Sequence, residues 1–203
     1  RNGVTTVVDA GSPGWKNFET FKNNVIDHSE TRVLSFLNIV GEGMRGGVWE
    51  QDLQDMNAKM TALTIQQHPE LVGIKVAHYS GAEWTPIQRA VEAGEIADVP
   101  VMIDFGGHQP PLSLTRLFME ELRPGDIFTH MYANLSSVRM TILDPTTGKL
   151  YDYATKGREK GIIFDVGHGG GSFAFAQAIP AIDEDFFPDT ISTDLHAESM
   201  NGG

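Results

Sequence analysis

Seven short apolar runs, rich in β-branched and aromatic residues, recur along these 203 residues, and they constrain the fold more than anything else in the chain. They lie at 4–11, 32–41, 71–80, 99–107, 126–133, 161–169 and 190–197. Segments with helical character separate them. The stretch 49–68 sets Leu53, Met56, Met60, Leu63 and Ile65 on roughly one helical face. The stretch 84–98 opens on Thr85-Pro86, an N-cap followed by a first-turn proline. The stretch 112–126 stops at Pro124-Gly125, while 152–161 and 171–182 carry weaker helical patterns. Strands alternating with helices build repeated βα units and a parallel sheet. The predicted fold is therefore α/β, an incomplete (β/α)8 TIM-type barrel of about seven βα units. A doubly wound open sheet is the rival, but no Gly-rich phosphate loop follows any strand in the dinucleotide-binding pattern.

Polar residues sit where such a barrel would use them. Asp9 closes the first run, His78 lies just past Lys75 in the third, and Asp104 closes the fourth. His130 lies in the fifth, Asp165 and His168 close the sixth, and Asp194 and His196 close the last. The carboxyl ends of barrel strands surround one active site, so residues far apart in sequence converge there.

Lys75 stands between Ile74 and Val76, and period-two alternation puts it on the opposite face from both. It is either a lysine reaching water at the barrel mouth or an amine neutralised by burial. A neutral amine can serve as a Schiff-base nucleophile, or add CO2 to become an anionic carbamate that bridges two metal ions. A lone buried histidine is more often a hydrogen-bonded core residue than a ligand, and the company of Lys75 and Asp194 favours the ligand reading for His130. A carboxylate at Asp194, after a short buried strand, needs a helix N-terminus, an arginine or a metal as partner. His196, two residues on, points the same way along the strand. The run of glycines beside His168 permits close backbone approach to a ligand, which makes His168 and Gly169 candidate substrate contacts. Asp104 and His108 both follow the fourth run, and spacing does not choose between them as a ligand.

Composition narrows the partners. The formal net charge of −12, with no basic patch, argues against nucleic acid and anionic membrane surfaces. Cysteine is absent, which excludes disulfides and thiolate metal sites. No stretch approaches the roughly 18 apolar residues of a membrane span. There is no initiator Met and no signal-peptide pattern, and both ends run straight into or out of a strand. The expectation is a cytoplasmic protein seen as one partial barrel domain, 1–203, truncated at both ends. A barrel short of a strand exposes two sheet edges, and association into a homo-oligomer through that gap is expected.

The motifs GVTTVVDAGS (3–12), GIKVAHYSG (73–81), RPGDIFTHMYA (123–133), DVGHGGGSF (165–173) and STDLHAESMN (192–201) resemble the amidohydrolase superfamily of metal-dependent hydrolases, in its dihydroorotase-like deacetylase branch. They span essentially the whole chain, in order. The resemblance implies a distorted βα barrel with one or two divalent metals, usually zinc. Lys75 matches the carbamylated lysine that bridges the metals, and His130 matches a histidine ligand. Asp194 matches the aspartate that binds metal and acts as general acid/base, and His168 with its glycines matches a loop near the substrate. Two departures stand out. The His-x-His ligand pair of the family's first strand occurs nowhere in this chain, as if the chain began after that strand. The family's strand-five histidine is Asp104 here, or is replaced by His108 from the loop; a carboxylate is an acceptable zinc or manganese ligand.

The function so implied is hydrolysis of an amide, cyclic amide or ester of a small molecule, of the deacetylase or amidohydrolase type, by metal-activated water. The chain by itself, without the His pair, is expected to be inactive. Two alternatives stay open from the residues alone: a Schiff-base lyase or aldolase using Lys75, and a degenerate barrel used only for binding.

Overall fold

The computed structural model describes residues 3–104, 110–134, 139–197 and 199. The chain divides into two compact units, Arg1–Gly106 and Gly107–Gly203.

In the first unit four parallel strands pair in chain order: β1 (Thr6–Asp9), β2 (Arg32–Asn38), β3 (Leu71–Val76) and β4 (Val101–Ile103). Register aligns Asn38 with Lys75 and Lys75 with Met102, so the three form a row across neighbouring strands. Ile74 and Val76 are buried on the other face, as alternation requires. A shift in register between Ser35 and Phe36 brings the Phe36 ring over Gly73, where a side chain would collide with it.

Three helices cover these strands: α1 (Phe18–Phe21, continuing through one wide turn to Ile26), α2 (Ala58–Gln67) and α3 (Thr85–Ala97). The helix predicted over 49–68 is broken. Gly47–Gln51 is a short tight turn, and α2 starts only after Asn57, whose side chain accepts a hydrogen bond from the Met60 amide at 3.1 Å. That cap decides which face is buried. Ala58, Thr61, Ala62 and Ile65 pack inward, whereas Met60 and Leu63 from the predicted apolar face are 39% and 50% exposed. Helix α3 begins one residue early, with Trp84 as N-cap, and ends on Asp98 in the left-handed conformation.

The second unit holds β5 (Ile127–Phe128) and β6 (Ile163–Phe164), also parallel. Its helices are α4 (Leu114–Arg116, extended by a wide turn to Glu121), α5 (Asp152–Lys160) and α6 (Phe175–Asp183). Gly161 closes α5 at φ 97°, a conformation glycine adopts without a steric penalty. Phe118 packs edge-on against Phe128 and Phe164 at 5.0 and 5.4 Å between centroids, and Phe164 packs against Phe186 at 5.0 Å.

The described residues thus form six strands rather than seven. The run at 190–197 makes one strand-type bridge, Asp165 to Thr190, and turns left-handed at Asp194. Its apolar residues do not enter a core: Ile191 is 81% exposed and Leu195 is 70% exposed.

Candidate active-site residues

In the first unit, Lys75 is 3% exposed and lies at the carboxyl half of β3. Gly11, just past β1, sits directly against it, so that a methyl group there would fall 2.5 Å from the Lys75 Cβ. The Lys75 Nζ lies 3.4 Å from Asp104 Oδ2 and 3.8 Å from the Met102 sulfur. Asp104 follows β4 and is itself buried, so the lysine is not a snorkelling surface group. His78, two residues beyond β3, has its Nε2 3.8 Å from the same Asp104 oxygen. Its Nδ1 lies 2.9 Å from the carboxylate of Glu50, a buried residue of the tight turn Gly47–Gln51. That carboxylate raises the pKa of His78 above the ordinary histidine value, against the opposing pull of burial. Four titratable side chains therefore join in one chain of contacts, Glu50–His78–Asp104–Lys75.

In the second unit, His130 follows β5 and is buried. Its Nδ1 lies 2.7 Å from the carbonyl oxygen of Gly167. A carbonyl only accepts, so Nδ1 carries the proton and the lone pair of the neutral ring is on Nε2, the tautomer typical of histidine ligands. The fully buried Arg139 donates to the His130 carbonyl oxygen and lies over the Phe128 ring at 5.0 Å. Two residues on from Gly167, Gly169 lies hard against the Asp194 carboxylate, at φ 51°, with no room for a side chain. The amides of His168 and Gly169 donate to the carbonyls of Ser192 and Thr193 at 3.1 Å each. The glycine loop thus touches both His130, through Gly167, and the half-buried Asp194, through Gly169. His168 is exposed and stacks on Phe173 at 5.2 Å and 25°. His196 is exposed, its Nδ1 2.8 Å from the carbonyl oxygen of Asp194. His108 lies outside the described residues.

Two other strand-end aspartates serve the fold. Asp9 accepts from the amides of Gly11 and Ser12 and from Ser35 Oγ at 3.1, 2.9 and 2.8 Å. Asp165, 1% exposed, accepts from the hydroxyls of Thr129, Thr190 and Ser192 at 2.6–2.7 Å. Both carboxylates are engaged by neighbouring donors, as buried or turn carboxylates require. Backbone geometry separates the two classes. Among the described residues, five that are not glycine have positive φ: His78, Asp98, His130, Asp185 and Asp194, at 47–59°. Asp98 and Asp185 end helices or the turns after them. Of the other three, His78 and His130 lie just past β3 and β5 and Asp194 lies in the non-strand run 190–197; all three have chemistry to offer, and sparsely populated backbone held in place by its surroundings clusters at functional sites.

The donor set suits a divalent cation. Imidazole nitrogen and carboxylate oxygen are both zinc ligands, and oxygen donors also suit manganese. Among the described residues no three histidine or acidic side chains already converge on one point. No described helix is long and apolar enough to cross a membrane.

Parallel βα units in chain order, with polar residues at the carboxyl ends of the strands, define an incomplete (β/α)8 barrel. Known proteins share it. A crystal structure of an adenine deaminase superposes with a TM-score of 0.87 at 31% identity, over 99% of this chain and 54% of that one. A crystal structure of a dihydroorotase gives 0.83 at 34% identity, over 98% and 55%. A deacetylase of Brucella anthropi is 35% identical over 98% of this chain and 50% of its own length. No family model matches the chain. These relatives, a deacetylase, an adenine deaminase and a dihydroorotase, agree with the amidohydrolase resemblance of the motifs, and the chain spans about half the length of the curated relatives it matches.

Proposed function

We propose that the protein carrying this sequence is a metal-dependent hydrolase that removes an acyl group, or opens a cyclic amide, by breaking a C–N or ester bond. What supports this reading is that one glycine loop contacts both His130 and Asp194, in a chain 98% of which aligns with half of a deacetylase. Lys75, as its carbamate, and Asp104 are the candidate ligands of the first unit, and His130 and Asp194 those of the second, for zinc or manganese. Bound there, a divalent ion lowers the pKa of water and polarises the scissile carbonyl.

Asp194 has the protonic part. It takes a proton from the attacking water as the new C–O bond forms, then delivers it to the leaving nitrogen or oxygen as the old bond breaks. His130, in the tautomer fixed by the Gly167 carbonyl, keeps its Nε2 lone pair directed away from that bond. His168, Gly169 and His196 line the approach to Asp194 and contact the substrate, a small acylated molecule. Cytoplasmic location is part of the proposal.

The test is hydrolysis of a panel of N-acetyl and O-acetyl small molecules by the natural full-length protein, loaded with zinc or manganese. Turnover abolished by a chelator and restored by metal is expected. Metal-independent turnover, or none after verified metal uptake, would overturn the reading.

A further inference from the structure

His78 has no place in the roles assigned so far, yet the fold holds it more firmly than its half-exposed side chain requires. Glu50 is 1% exposed, and both its oxygens are used: Oε1 accepts from the Gly46 amide at 3.0 Å, and Oε2 faces His78 Nδ1 at 2.9 Å. Gln51 grips the same loop from its backbone side. Its amide nitrogen donates to the His78 carbonyl, and its amide oxygen accepts from the Ser80 amide and hydroxyl, all at 2.9 Å. The tight turn Gly47–Gln51 therefore holds His78 through its ring and its backbone while φ stands at 55°.

That arrangement decides the chemistry of the ring. A carboxylate only accepts, so Nδ1 keeps the proton and the neutral imidazole presents its lone pair at Nε2. A carboxylate behind a histidine is the arrangement that fixes a metal ligand's tautomer and raises its basicity. Nε2 faces Asp104 Oδ2 at 3.8 Å. Two donors on one tetrahedral zinc, each about 2.1 Å from it, stand about 3.4 Å apart, so a movement of a few tenths of an ångström suffices. An ordinary surface ion pair needs neither a buried backing carboxylate nor a left-handed backbone.

We propose that His78, positioned by Glu50, is a metal ligand that works as a pair with Asp104. The proposal rests on the metal-dependent reading above. Cobalt(II) binding to the natural full-length protein tests it, followed by visible absorption and calorimetry on the wild type, His78→Gln, Glu50→Gln and a His28→Gln control. His28 is exposed and bonds to the Asn23 carbonyl, far along the chain from these groups. The expected result is at least a tenfold loss of cobalt affinity with an altered ligand-field spectrum in His78→Gln. Glu50→Gln, close in shape, should weaken binding about 10–100-fold with the melting transition kept, and His28→Gln should match the wild type. A His78→Gln protein with wild-type affinity and spectrum overturns the proposal and leaves the metal-dependent reading standing. If His78→Gln does not fold, wild-type binding by Glu50→Gln overturns it instead. A wild type that takes up no cobalt overturns the metal-dependent reading first and this proposal with it.

Discussion

Asp194 and Gly169 behave as one device: the glycine exists so that the carboxylate can occupy the space its side chain would fill. Gly169→Ala meets both the Asp194 oxygen and an unfavourable φ, so it should cost about 1–3 kcal/mol, read from urea melts. Displacing the carboxylate should also lower turnover about a hundredfold. Asp194→Asn keeps the shape and removes the proton acceptor, and kcat should fall by about 10²–10⁴. Tyr79 and Tyr153 offer a pH test of stability. Burial, aided by a bond to Glu83, pushes the Tyr79 phenol up to about 12, and burial raises Tyr153 as well. The folded state thus holds these protons more tightly than the unfolded chain. Their contribution to stability is complete below about pH 10 and is lost as pH rises towards 12. Absorbance at alkaline pH should show their ionisation delayed until the fold opens. At this scale the sequence put Lys75 on an enclosed face, as its burial shows, and set the glycines of 167–169 beside residues that the loop contacts, His130 and Asp194. It could not separate Asp9 and Asp165 from them, because a carboxylate satisfied by serine and threonine hydroxyls looks the same in sequence as a ligand.

Among elements, strands were more legible than helices. Period-two alternation placed Lys75 on the right face of β3, since a buried parallel strand leaves little freedom of phase. The failure at 49–68 came from a cap. Leu53 and Met56 extended the apparent stripe backward, but Asn57 offers an acceptor to the first free amides, and the helix starts there with a different inward face. Asn57→Ala should therefore cost about 1 kcal/mol in chemical denaturation, with no change in metal binding. The last run, at 190–197, has strand composition, yet its hydrogen bonds are shared between the bridge to Asp165 and the carbonyls that fix the glycine loop. Composition shows that a segment can extend, not which neighbours it will have.

For the molecule as a whole, the apolar surface is unevenly kept from water. Val4, Val7 and Val8 in and before β1 are 42–57% exposed, and Phe187, Ile191 and Leu195 are 50–81% exposed. Exposed strand edges and apolar side chains of this kind drive association. The 203-residue chain alone should show a concentration-dependent rise in mass by light scattering, reduced by Val7→Lys; a monodisperse monomer at all concentrations would refute this.

Under the proposed function, the left-handed backbone at His78, His130 and Asp194 would set the molecule's stability against its use. Selection for heat resistance alone would favour small, compliant replacements such as glycine at Asp194, relaxing the chain while erasing its chemistry. Variants enriched in such a screen, melting higher and doing nothing, would trace the active site from the negative side.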